Sequence, residues 1–129
     1  MVETDAMPSA CCARLREPSH NPGFDLHVER RGSTAILRLS GELDLTGAEH
    51  VERCVDELAG NSPDAIVIDL REVSFMDSTG LRSLIRARAL GPEAEWSLKL
   101  VRGPDPVHRV LELTRMDDVF DFVDPTEVD

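Results

Sequence analysis

Between residues 24 and 123 the apolar positions recur first at every second residue and then at helical spacing. Phe24, Leu26 and Val28 alternate with polar neighbours, and Arg31-Gly32-Ser33 forms a short turn, which predicts a hairpin into a second strand at 34–40. That strand places Ala35, Leu37 and Leu39 on one face and Thr34, Ile36 and Arg38 on the other. Thr46-Gly47-Ala48-Glu49 reads as a capping box, Thr46 at the N-cap and Glu49 at N3. The helix it opens carries a stripe of Val51, Val55 and Leu58 with Cys54 between them, and Gly60-Asn61-Ser62-Pro63 ends it. Ala65-Ile66-Val67-Ile68 is a short, unbroken apolar run, as expected of a strand buried on both faces.

Val73-Ser74-Phe75-Met76 reads as an apolar connector leading into Asp77-Ser78-Thr79-Gly80. After it, Leu81, Leu84, Ile85 and Ala89 recur at helical spacing, and Gly91-Pro92 is expected to stop that helix. Trp96, Leu98 and Leu100 alternate with Ser97 and Lys99 in a further strand. Asp105 is placed to cap a third helix with Pro106 at N1, its stripe being Val107, Val110, Leu111 and Thr114. Residues 119–123 predict a short last strand. An opening hairpin followed by alternating strands and helices argues for an α/β domain with a mixed β-sheet covered by helices. Residues 1–23, with Pro8, Pro18, Pro22 and neither periodicity, are expected to be a flexible leader; the domain is assigned to 24–123 and a short acidic tail to 124–129.

Composition narrows the function. At 129 residues the chain is about one domain long, and its 41% apolar share, roughly 47% with glycine, excludes global disorder. Fourteen basic residues against 25 acidic ones give a net charge of −11, which argues against direct binding of nucleic acid. Residues 117–129 hold six acids and no base, and such a tail is most simply solvating. No apolar run approaches the roughly 18 residues of a membrane helix, and Glu3 and Asp5 stand where a signal peptide wants positive charge. Cys11 and Cys12 are adjacent, Cys54 is distant, and no C-x-x-C occurs, so neither a disulfide framework nor a structural zinc site is written here. A cytoplasmic protein without membrane contact is expected.

The junction at Asp77-Ser78-Thr79-Gly80 is the candidate site. A helix start leaves about four N–H groups unpaired and favours an anion, so a serine there is open and a phosphate on it would meet those donors. Gly80, without a Cβ, would let a partner's backbone approach. From spacing alone Ser78 or Asp77 serves equally as an ordinary N-cap. A hydrolase reading is weak, because the nucleophile elbow needs glycine where Met76 stands and His20, His27, His50 and His108 are scattered. Glu42 and Asp44 make a poor metal site without companions, and turn or cap chemistry explains them as well as partner contact. Arg82, four residues beyond Ser78, and Arg86 read either as a solvated helix face or as receivers of a phosphate or an acidic partner.

Val73-Ser74-Phe75-Met76-Asp77-Ser78-Thr79-Gly80-Leu81 resembles the signature of the STAS domain of bacterial anti-anti-sigma factors, the anti-sigma factor antagonists. Leu39-Ser40-Gly41-Glu42-Leu43-Asp44 is similar to the G-E-L-D loop after the second strand of that family, and Pro106-Val107-His108-Arg109-Val110-Leu111-Glu112-Leu113-Thr114 to its late helix. The resemblance spans 24–123 in order. It implies a STAS-type sheet and a protein that is not an enzyme and uses no cofactor. Ser78 would be phosphorylated by an anti-sigma factor that is itself a serine kinase and reset by a serine phosphatase. Glu42, Asp44, Asp77, Thr79, Gly80 and Arg82 would contact the partner. The unphosphorylated form would bind the kinase and release the sigma factor. The alternative within the fold is a scaffold or lipid-transport STAS subunit that docks constitutively. Two departures mark this chain: residues 124–129 are short where the family carries a further helix, and Thr114-Arg115-Met116 stands where glycine is common.

Overall fold

The computed structural model describes residues 23–128 apart from Ser62 and Glu95; the leader expected at 1–23 lies, but for Gly23, outside them. The elements run β1 (Phe24–Arg31), β2 (Thr34–Leu43), α1 (Leu45–Ala59), β3 (Ala65–Met76), α2 (Ser78–Ala94), β4 (Ser97–Val101), α3 (Asp105–Leu113) and β5 (Asp121–Phe122). Single 3-10 turns at Met116–Asp118 and Pro125–Glu127 flank β5. The five strands lie in sequence order; β1 pairs antiparallel with β2 and every later neighbour is parallel. The mixed α/β sheet expected from the alternation is the one observed.

All three helices cover one face. Val51, Cys54, Val55 and Leu58 of α1, Leu81, Leu84 and Ala87 of α2, and Val107 and Leu111 of α3 close over Ala35, Leu37, Leu39, Ile66, Ile68, Leu98 and Leu100. The stripe of α2 differs from the predicted one, since Ile85 faces outward, half exposed, and Ala87 faces in. The reverse face holds a second cluster of Ile36, Val67, Val101 and Val128. Val128 is almost fully buried there and its carbonyl accepts from Arg38, so the acidic tail folds back on the sheet where solvation was expected. This explains why Ile66, Val67 and Ile68 are buried on both faces.

The predicted boundaries move where local chemistry competes. The expected connector Val73-Ser74-Phe75-Met76 is the end of β3. Pairing skips a residue of β2 and two of β3 between Arg38↔Asp69 and Ser40↔Glu72, and then steps over Ser74 between Gly41↔Val73 and Glu42↔Phe75. Such bulges put the alternation out of phase without ending the strand. At α3 the N-cap is Pro104, with no side-chain cap bond; Asp105 is the first helical residue. Helix α2 runs past Gly91-Pro92 to Ala94, so the stop expected there does not occur. The last strand shrinks to two residues because the Val119 and Phe120 N–H groups both donate to the Met116 carbonyl and so belong to the turn.

A charged network crosses the reverse face. Asp69 accepts from Arg38 Nη1 at 2.9 Å and Arg71 Nη2 at 2.8 Å, while Glu29 Oε1 accepts from Arg38 Nη2 at 2.9 Å. Burial pushes the Asp69 carboxyl up, but the hydrogen bonds from Arg71 and the two guanidinium charges outweigh it and hold the group below the usual carboxylate range.

Candidate functional site at the ends of two parallel strands

Strands β2 and β3 end side by side, Leu43 opposite Met76, and each passes through one aspartate into a helix. The two junctions have the same build. Asp44-Leu45-Thr46-Gly47 and Asp77-Ser78-Thr79-Gly80 share the pattern D-x-T-G. In the first, Asp44 Oδ1 accepts from the Gly47 N–H at 3.2 Å and the Asp44 carbonyl from the Ala48 N–H at 2.7 Å. In the second, Asp77 Oδ1 accepts from the Gly80 N–H at 3.0 Å and the Asp77 carbonyl from the Leu81 N–H at 3.0 Å. Aspartate is thus the N-cap both times. The capping box expected at Thr46 is corrected: β2 runs to Leu43, so the first residue free to cap is Asp44.

With Asp77 as the cap, Ser78 is the first helical residue, exposed, and Thr79 is the second, half-buried. Neither N–H has an intrahelical acceptor at these positions. Gly80 is buried, and the backbone its missing Cβ admits belongs to this chain: a Cβ there would stand 2.3 Å from the Leu43 carbonyl oxygen. The expected reason, approach of a partner's backbone, is corrected accordingly. Close seating of the first turn of α2 on the end of β2 is what brings the two junctions together. Ser83, fully buried, donates from Oγ to the Gly80 carbonyl at 2.6 Å and ties the second turn to the first.

The remaining candidates divide. Glu42 is exposed beside this end, opposite Phe75 in the register, and its N–H donates to the Gly23 carbonyl at 2.7 Å. Gly41 permits this approach, with φ +93 and a hypothetical Cβ 1.9 Å from the same oxygen. Arg82 is exposed one turn beyond Ser78, and among the described residues it forms no ion pair, whereas Arg86 reaches Glu52 at 3.6 Å. Sequence reasoning overlooked two apolar side chains at this end, Leu45 and Phe75, which are 58% and 49% exposed. Leu45 holds in its junction the place that Ser78 holds in the other, and reading D-x-T-G as a repeat would have found it. Among the described residues no histidine hydrogen-bonds Ser78; His50 packs against Phe24 and His108 against Phe122.

A family model described as "Mlab, STAS domain" matches residues 26–124. The chain belongs to the STAS domain family. An anti-sigma-F factor antagonist of Mycobacterium tuberculosis, RsfB, is 39% identical over 57 residues, which cover 44% of this chain and 47% of that protein. The chain thus spans about half the length of that relative. An anti-sigma factor antagonist from Mycobacterium paratuberculosis has a crystal structure that matches with a TM-score of 0.68 at 28% identity, over 79% of this chain and 87% of that one. SpoIIAA, an anti-sigma factor antagonist and Bacillus cell fate determinant, shares the fold in its unphosphorylated form with a TM-score of 0.70 at 19% identity, over 80% of this chain and 91% of that one. Its phosphorylated form matches with a TM-score of 0.64 at 18% identity, over 80% and 95%. The STAS sheet expected from the sequence motifs is therefore the fold observed. Among the described residues no helix is long and apolar enough to cross a membrane.

Proposed function

We propose that this STAS domain is an anti-sigma factor antagonist switched at Ser78. The observation that carries the reading is an exposed serine as the first residue of α2, where a helix start leaves N–H groups without intrahelical acceptors, on a turn held by the Asp77 cap and the Gly80–Leu43 contact. The names of its STAS relatives support the antagonist part of this reading. Unphosphorylated, the protein binds an anti-sigma factor that is a serine kinase and frees the sigma factor. Phosphate transferred from ATP to Ser78 Oγ ends that binding, and a serine phosphatase restores it. The chain acts in the cytoplasm as substrate and switch, not as catalyst.

Glu42, Asp44, Asp77, Thr79 and Arg82 surround Ser78 in this reading and form its partner surface, with Gly80 acting beneath them. Asp44 and Asp77 each leave one carboxylate oxygen outside the cap bond. Leu45 and Phe75 add apolar area that a partner would cover.

Incubation with candidate anti-sigma kinases and ATP, followed by intact mass and peptide mapping, tests the reading. One phosphate on Ser78, absent from Ser78→Ala, is expected. Binding that persists without any phosphorylation would place the chain among constitutively docking STAS subunits instead.

A further inference from the structure

Three metal-ligating side chains converge away from Ser78, where α3 meets the turn that follows it. Helix α3 starts beyond the carboxyl end of β4 and runs back, so its last turn lies toward the opposite end of the sheet from Ser78. His108 and Glu112 are one turn apart on one face of α3, with His108 Nε2 3.8 Å from a Glu112 carboxylate oxygen. After Thr114 the chain reverses at Arg115, which is left-handed at φ 63, ψ 22, and the Met116–Asp118 turn returns Asp117 to the helix. One ligand atom from each of His108, Glu112 and Asp117 lies within 4.8 Å of the other two.

Two observations separate this cluster from ordinary acidic surface. His108 is only 6% exposed, packed against Phe122, and neither ring nitrogen has a hydrogen-bond partner among the described residues. Its Nδ1 is sealed from solvent, and its Nε2 faces Glu112 from beyond hydrogen-bond reach. An ion on Nε2 would give the ring nitrogen that faces the cluster its partner, with Nδ1 staying outside the shell. The acids also gather at the carboxyl end of α3, whose last turn holds no base, and there the helix dipole favours a cation.

We propose that His108, Glu112 and Asp117 bind a divalent transition-metal ion of the zinc type. One imidazole and two carboxylates suit zinc or its first-row neighbours, with water completing the shell. Three protein ligands are too few oxygens for a calcium site, and nitrogen ligation disfavours magnesium. Glu112 and Asp117 are exposed and half-buried, so their carboxylates are able to turn in to bonding distance while the packed imidazole stays fixed. The ion would fasten the last turn of α3 to the turn after it and stabilise the fold by mass action.

The test uses the full chain with cobalt(II) and zinc(II) as probes. Cobalt(II) should bind one equivalent with visible d–d bands and no thiolate charge-transfer band, and zinc(II) should displace it and raise the melting temperature. Glu112→Gln and Asp117→Asn keep size and avoid the core, and each should weaken binding at least about tenfold, equivalent to roughly 1.4 kcal/mol. Absence of binding overturns the proposal. So do a thiolate band, which would put the ion on cysteine, and unchanged affinity in both variants while their melting temperatures match the wild type. Equal stabilisation by magnesium would likewise reduce the cluster to a general acidic surface.

Discussion

At the scale of single residues, the Ser78 end depends on two whose work is hidden from solvent or already committed to backbone. Gly80 is required by contact, not by a special backbone angle, because its Cβ position is 2.3 Å from the Leu43 carbonyl oxygen. Gly80→Ala should therefore lower stability by about 1–3 kcal/mol, the range for overpacking, and displace the first turn of α2. Asp77→Ala should lower it by about 1 kcal/mol through loss of the cap. Urea unfolding of both variants checks the order, and a Gly80→Ala midpoint equal to wild type would contradict the contact. The residue types here were legible in the sequence, whereas the division of labour was not. Thr46 and Asp44 are both good caps, and the end of β2, fixed by pairing with β3, decides between them. Likewise the glycine signal was visible while the carbonyl it meets, 37 positions earlier in the chain, was not.

At the scale of elements, the α1 stripe and the first halves of the strands followed the apolar pattern, α2 turned Ile85 out and Ala87 in, and the departures within the strands came from pairing. The bulges in β3 let Val73 and Met76 face the core while Ser74 and Phe75 point out, a pattern that a strict period of two reads as loop. The reverse face was less legible still, since Arg38 and Asp69 look like ordinary polar strand positions until register places them side by side. Asp69 makes that face sensitive to acid. Its folded value lies below the unfolded one, so its contribution is complete above the unfolded carboxylate value of about 3.9 and is lost as pH falls through the folded value. The stability gap between wild type and Asp69→Asn, about 1–3 kcal/mol at neutral pH, should shrink below about pH 4. A gap independent of pH would assign the network no electrostatic part. Val128 closes the same face from the tail, and Val128→Asp should release it, costing about 1.5–3 kcal/mol of burial. Because Val128 sits on Ile36 and Val67, near the starts of their strands, partner binding at the Ser78 end should be unaffected.

At the scale of the whole molecule, the proposed switch sits at one end of the sheet, where β2 and β3 finish, and its sign follows from where charge would land. The chain already carries −11, and a phosphate on Ser78 adds about −1.5 to −2 near pH 7, next to Asp77 and across from the Asp44 junction. Within the domain this charge meets the α2 N-terminus, which favours it by typically 0.3–1 kcal/mol, so the fold should survive with a melting temperature changed by only a few degrees. The penalty would fall on the proposed interface. A partner that fits a small hydroxyl at Ser78 would have to strip water from a dianion beside Asp77, and an unpaired buried charge costs several kcal/mol. Since about 1.4 kcal/mol is tenfold in affinity, phosphorylation should weaken anti-sigma binding at least tenfold, and Ser78→Asp should do so less completely. Ser78→Ala removes the acceptor oxygen and should stay bound however long kinase and ATP are present. Asp44→Asn should weaken binding of the unphosphorylated form without unfolding it if the Asp44 carboxylate faces the partner. Titration calorimetry on phosphorylated and unphosphorylated protein, with circular dichroism on the same samples, separates loss of interface from loss of fold. Equal affinities of the two forms would refute the switch, and tighter binding after phosphorylation would reverse its sign.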